Sequence, residues 1–376
     1  MTSATIRWIA LAGRQEVKAL NSIDKIGKAI DSIADDGFFT YGYFKTLETT
    51  TPSDERPIYL AIYDKDEIAA AAPFYLNLNQ THEQEISNRF SRRIASKARY
   101  FGLHPERLFS CFSPSSYHSK ILVKKDYDSK MVLNQICTKI DEICREKTIM
   151  FSSFPYVSEF EDSLVHNLPD FGYQLLPSEN TLTLDVKWSS FEDYLENLES
   201  HKIRTTVKRE IRKCRESGVL ITEEHDFGDL AVTLARLHSN LFSKYNKGIG
   251  SPRGVSFFKG LYDYAKDKTR VFVAKKNNKI IGFSLSLQQK ATLDVHLCGF
   301  DYDTQANTDF TYFNVVYYAT IEMAIKEKIR KIHYSIKSER VKQKRGCKLE
   351  RNYSFIKCHN RMLRPLYSIY SKRRRC

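Results

Sequence analysis

A self-similarity at an offset of 212 residues constrains this 376-residue chain more than any other feature. Pro57 to Tyr63 reads as a strand, Asp64 to Glu67 as a polar turn, and Ile68 to Leu76 as a second apolar run. Arg270 to Ala274, Lys275 to Lys279 and Ile280 to Leu287 repeat that pattern without a gap. Asn277-Asn278 at the second turn has the chemistry of a tight hairpin connection. The chain after each hairpin repeats as well. Ile121 to Val123 reads as a short strand, Ser129 to Arg145 as a helix with apolar residues at Val132, Leu133, Ile136, Ile140 and Ile143, and Thr148 to Phe151 as the returning strand. Later, Leu293 to Gly299, Phe310 to Lys328 and Lys331 to Ser335 give strand, helix and strand. A unit copied once predicts an α/β fold with two tandem domains. We place the domains at 1–187 and 188–376.

Between the copies the character changes. Leu182 to Val186 reads as the last strand of the first unit, Phe191 to Leu198 as an acidic helix, and 201–217 as a strongly basic interdomain helix stopped by Gly218. Helices over Leu230 to Tyr245 and Val255 to Asp267 flank a loop with Gly248, Gly250 and Gly254. The C-terminus closes with a strand over Tyr353 to Cys358, a short helix over Pro365 to Tyr370 and a basic tail, Lys372 to Arg375.

Composition excludes several classes. Hydrophobic residues at 42% and charged residues at 28% are globular usage, not that of a disordered or fibrous chain. The longest apolar stretch, Ile68 to Leu76, contains Pro73 and is far short of the roughly 20 residues that span a bilayer. Met1 to Arg14 shows no secretory pattern, so the expected location is the cytoplasm. The eight cysteines form no C-x-x-C pair, which predicts free thiols, small core roles for Cys137 and Cys144, and no metal site. A net charge of +14 predicts affinity for polyanions, although basic residues also serve plain solubility. No phosphate-binding glycine loop, H-E-x-x-H or G-x-S-x-G occurs.

Two basic clusters stand out. Arg204, Lys208, Arg212 and Arg215 fall on one stripe of the 201–217 helix, and like charges at that spacing repel unless an anion lies across them. The stripe suits donor phosphates; a solvated face explains it equally. Lys337, Arg340, Lys342, Lys344, Arg345, Lys348 and Arg351 come after a strand's C-terminal end, where α/β folds place ligands. In Leu293 to Cys298, Asp294, His296 and Cys298 share one face, which reads as a cleft lining or as a satisfied core histidine.

These segments resemble the tandem acyltransferases of the GNAT superfamily, specifically the Fem-like branch often labelled "peptidogalycan biosynthesis" proteins. Phe191-Glu192-Asp193-Tyr194-Leu195 with Lys202-x-Arg204-x-x-Val207-Lys208-Arg209-Glu210 is similar to that group's interdomain helix. Tyr317-Tyr318-x-x-Ile321-Glu322-x-Ala324-Ile325 resembles its second-domain helix. Lys342-x-x-Arg345-Gly346, with Tyr353-Ser354 after it, matches its C-terminal loop in spacing. The likeness runs from about Phe38 to the end. Departures occur at Tyr312 and Asn314, where the family has a His and a Glu, at Arg340 and Val341, where it has Glu-His, and at His296, where it has an arginine.

The resemblance implies two GNAT-like domains with mixed central sheets, and an enzyme that forms an amide from an amine and an activated acyl group. Such chemistry needs a positioned amine, an exit for its proton and donors for the oxyanion. On this reading Lys342 and Arg345 stabilise charge, His296 or Tyr353 orients or moves a proton, and Arg204, Lys208 and Arg212 hold donor phosphates. Coenzyme A would need a glycine-rich turn where Asp301 to Asp309 has three acids and no glycine. The expectation is therefore an aminoacyl-tRNA co-substrate, with tRNA as partner, an amine-bearing small molecule or peptide as acceptor, and no resident cofactor. An acyl-coenzyme A-dependent N-acetyltransferase and a non-catalytic nucleic-acid binder on a degenerate GNAT fold are the alternatives.

Overall fold

The structure, a computed structural model, describes residues 16–51, 57–76, 104–245, 253–303 and 309–372. The reading of Met1 to Arg14, Gly248 and Gly250, residues 304–308 and the tail from 373 lie outside them.

Largely buried strands form two mixed sheets, and the hairpins found by self-similarity lie toward one end of each, one strand in from the edge. In the first sheet β2 (Ile58–Asp64) pairs antiparallel with β3 (Glu67–Leu76), Ile58 opposite Phe74. In the second, β10 (Thr269–Lys276) pairs with β11 (Lys279–Gln289), Val271 opposite Leu285. Asn277 and Asn278 have φ of 49° and 60°, the paired left-handed geometry that a two-residue hairpin turn demands. β1 (Lys18–Leu20) borders the first hairpin, and β9 (Leu220–Glu223) borders the second.

After each hairpin the chain makes the same crossover. β4 (His104–Cys111) runs antiparallel to β3, and β12 (Thr292–Phe300) runs antiparallel to β11. A helix then returns the chain to a parallel neighbour, β6 (Ile149–Ser158) beside β4 and β13 (Lys331–His333) beside β12. The duplication holds strand for strand, but the first-sheet counterpart of β12 is β4. The segment expected in that place, Ile121 to Val123, is only β5 (Leu122–Val123), a side pairing on β3. Polar Glu106 and Arg107, together with Pro105, hide β4 from an apolar-run search.

The outer strands correct the predicted domain cut. β15 (Asn352–Cys358) pairs antiparallel with β6 and with β7 (Gln174–Pro177), so a C-terminal strand completes the first sheet. β8 (Thr181–Asp185), expected to close the first unit, pairs with β13 and β14 (Lys348–Glu350) in the second. One compact unit comprises 1–33, 51–180 and 350–376, and the other 34–50 and 181–349. A single boundary at 187 therefore does not describe them. Residues 34–50 join the second unit because helix α1 (Tyr41–Thr50) packs there, with Tyr43 edge-on to Phe257.

Each unit has its own core. In the first, Val132, Ile136, Cys137 and Ile140 of α2 (Ser129–Glu146) meet Phe154 and Phe355, and Cys137 and Cys144 are buried as expected. The seven described cysteines are free. In the second, α3 (His201–Glu216) presents Val207 and Cys214 to a core with Leu293, Ile321 and Ile332. Ser200 caps α3 by accepting from the Ile203 amide, and Gly218 (φ 76°) takes the left-handed position that ends it.

Candidate functional site

The second unit's sheet opens where a ligand could enter. β12 and β13 pair in parallel only from Thr292–Lys331 to Asp294–His333. Beyond Asp294, β12 runs on to Phe300 against β11 alone. Open α/β sheets place ligands at such strand ends.

A β-bulge marks that point. Opposite the consecutive residues Leu285 and Ser286, β12 places Leu297 and Val295, so His296 is the extra residue of the bulge. The bulge also moves Cys298. It packs with Leu293, Val295 and Phe300 on the apolar core and so leaves the face of Asp294 and His296, which strict alternation predicts it to share. Asp294 accepts from the Gly37 amide at 3.0 Å.

His296 lies among ring edges, with Phe38 at 4.9 Å, Tyr43 at 5.6 Å and Phe257 at 5.9 Å between centroids. Arg253 stacks on Phe257 at 4.7 Å. Both imidazole nitrogens of His296 are shielded and have no hydrogen-bond partner among the described residues. Burial, with the Arg253 and His238 charges, holds its pKa well below the ordinary histidine range, so the ring is neutral at pH 7. A buried polar atom left unpaired costs about 1–3 kcal/mol, which marks the spot as one that a bound group would complete.

Helices α4 (Ala231–Tyr245) and α5 (Val255–Ala265) wall this region. His238 Nδ1 donates to the Cys298 carbonyl at 3.1 Å, and Asn240 Nδ2 to the Phe300 carbonyl at 3.2 Å. Gly299 permits this approach, since a Cβ there would come within 2.4 Å of Leu237 backbone.

The sequence-predicted site residues fall into separate settings. Lys342, on α7 (Glu339–Gln343), is buried, and its ammonium donates to the carbonyls of Tyr334, Ser335 (3.3 Å) and Ile336 (2.7 Å). Its three protons are thus matched by three acceptors on the loop leaving β13. Burial lowers its pKa to about 8. Arg345 pairs with Glu210 of α3 at 2.7 Å, both side chains under a tenth exposed, and lies 3.9 Å over the Phe313 ring. It also donates to the Val341 carbonyl at 2.8 Å, and Glu210 accepts from the Tyr318 hydroxyl. Tyr318 ends a π-helical turn, Asn314–Tyr318, within the crossover helix α6 (311–326). The structure therefore brings Arg345 and α3 together through Glu210, a residue that stands in the sequence motif but was given no role there. The signal for it was position: Glu210 is the one acid among the basic residues from 202 to 215, and it sits between Val207 and Cys214 on the buried face.

Lys208 and Arg212 are exposed on α3 or nearly so, whereas Arg204 is half-buried and donates to the Glu196 carbonyl at 3.0 Å. Arg212 lies 3.6 Å from Glu216. Tyr353 is half-buried on β15 and belongs to the first unit, whereas His296, Lys342 and Arg345 belong to the second. Of the three acids expected to repel a pyrophosphate, Asp301 is neutralised by Lys279 (2.9 Å) and Arg236 (3.9 Å), and Asp309 is buried with one oxygen on the Thr311 amide. Only Asp303 of the three is exposed.

Among the described residues no helix is long and apolar enough to cross a membrane. The sequence matches the FemAB-like family, described as peptidoglycan biosynthesis/recognition, over residues 19–375. No curated protein matches it. The fold is similar to the crystal structure of FemX (TM-score 0.60, 11% identity, 94% of this chain and 99% of that one). It is also similar to the C-terminal domain of a putative lysylphosphatidylglycerol synthetase from Agrobacterium fabrum (0.58, 12%, 93% and 97%). A third likeness is to L-PGS from Bacillus licheniformis (0.55, 11%, 96% and 99%).

Proposed function

The chain belongs to the FemAB-like family of peptidoglycan biosynthesis and recognition, and from that premise we propose that it is an acyltransferase that joins an amine to the acyl group of an aminoacyl-tRNA. The amine nitrogen attacks the ester carbonyl, the C–N bond forms, and the ester C–O bond breaks. The departing ribose hydroxyl carries away one proton. The observation that supports this reading most is the opened parallel pair β12–β13, with its bulge at His296 and its unmatched ring nitrogens.

Lys342 and Arg345 then act as positioning residues. One fixes the loop after β13, and the other locks α7 and α3 together. Two features favour the tRNA donor over coenzyme A. Carbonyls of β12 beyond the opening are already taken by His238 and Asn240, which reduces the strand edge left for an extended pantetheine. The chain's +14 charge and the outward-facing Lys208 and Arg212 suit a long polyanion.

Equilibrium binding separates the donors. Aminoacyl-tRNA should bind saturably, with log affinity falling steeply against log salt, and coenzyme A should give no heat in titration calorimetry. Saturable coenzyme A binding, with tRNA binding no tighter than an unrelated RNA, would reverse the assignment.

A further inference from the structure

The first unit contains a cavity of about 530 Å³ that the proposed transfer does not use. It lies where the last turns of α2, the start of β6 and the chain leaving β15 meet. Four cations, Arg145, Lys357, Arg361 and Arg364, line it against one carboxylate, Asp141.

That carboxylate is already engaged. Both its oxygens accept from Lys357 Nζ, at 2.7 and 2.8 Å, and His359 Nδ1 lies 3.4 Å from one of them. His359 Nε2 is 2.8 Å from Ser152 Oγ, which is 2.8 Å from the Tyr173 hydroxyl. Ser152, His359 and Asp141 are thus strung like a hydrolytic triad. Ser152, however, is fully buried and does not line the cavity, so no nucleophile is presented there. These side chains fix the cavity wall instead.

Three guanidiniums remain. Among the described residues Arg145, Arg361 and Arg364 make no ion pair, and Arg364 uses only Nε, on the Cys358 carbonyl at 3.1 Å. Arg145 is in the last turn of α2, where a cation suits the helix dipole, so it needs no further reason. Arg364 opens helix α8 (Arg364–Lys372), the end at which a cation is disfavoured. The Met362 and Leu363 amides donate to Asn360 Oδ1, at 3.0 and 3.1 Å, and Asn360 itself lines the recess. Like charges gathered on a concave wall repel one another unless an anion sits between them. Guanidinium groups match phosphate oxygens in forked pairs.

We infer that this cavity is a binding site for the phosphate or diphosphate of a small phosphorylated ligand, distinct from the acyl-transfer site. A recess of this size fits a compact anion; a nucleic-acid backbone needs a longer basic track.

The test uses the full chain and inorganic pyrophosphate, measured by titration calorimetry, with a 12-nucleotide single-stranded RNA of mixed sequence as competitor. Pyrophosphate should bind saturably. The surface substitutions Arg145→Ala and Arg361→Ala together should weaken it at least 10-fold with circular dichroism unchanged, and Lys208→Ala with Arg212→Ala on α3 should leave it intact. RNA should not displace it. No saturable binding to the folded wild type would overturn the inference. So would full affinity in the Arg145/Arg361 pair, loss in the α3 pair, or stoichiometric displacement by RNA. None of these results bears on which acyl donor the second unit takes.

Discussion

Removing the carboxylate of Glu210 would strand the Arg345 guanidinium away from water. Glu210→Ala should therefore lower stability by about 3–5 kcal/mol, whereas Glu210→Leu combined with Arg345→Met should cost far less, because neither charge is then left buried alone. Urea unfolding of both variants beside the wild type decides it; equal losses in the single and double variants would show that the pair is not energetically coupled. The histidines give a pH dependence. Burial lowers the pKa of His359 to about 4, and those of His296 and His238 also lie below the ordinary value. Each binds fewer protons folded than unfolded, so stability should be full above pH 6.5 and decline toward pH 4. A melting temperature that slopes less across that window in His359→Gln than in the wild type would show that His359 carries part of the effect; identical slopes would remove it. At this scale the sequence was uneven. It singled out Arg345 and His296; burial against Glu210 changed the setting expected for Arg345, and His296 is buried as a core histidine would be but with its ring nitrogens unmatched among the described residues. A side chain's number and type do not say whether its charge meets solvent or a partner 135 residues away.

Helix α3 was the most legible element, because its start, stop and apolar face are all local. Ser200 and Gly218 frame it, and Val207, Cys214 and the half-buried Ile203 and Ile211 face inward. Its outer row makes a prediction at the same scale. Lys208→Glu and Arg212→Glu should each weaken aminoacyl-tRNA binding at low salt and flatten the log affinity–log salt slope by about one. An unchanged slope in filter binding would leave α3 as a solvated face. The hairpins were equally readable, since Asn277-Asn278 specifies its own turn. Strand partners were not. β8 and β15 each look like the end of the unit that precedes them in sequence, and only non-local pairing assigns them to β13 and β6. The bulge at His296 was hidden for the same reason: it exists only in register with Leu285 and Ser286.

For the whole molecule, the duplicated hairpin–crossover unit indicated the fold, because a repeat of that length leaves few topologies, and the family came from the resemblance of the segments around Tyr194, Tyr317 and Lys342. The family match concerns peptidoglycan biosynthesis and recognition, and the transfer proposed for this chain is placed at the opened β12–β13 pair of the second unit. The most direct measurement is transfer itself. Purified protein is incubated with tRNA carrying a radiolabelled amino acid and an amine-bearing cell-wall precursor fraction, and alkali-stable amide products are counted. The account predicts label in a new amide that depends on the enzyme and fails to appear when labelled acetyl-coenzyme A replaces the tRNA. Label entering an amide from acetyl-coenzyme A, and none from aminoacyl-tRNA, would contradict it.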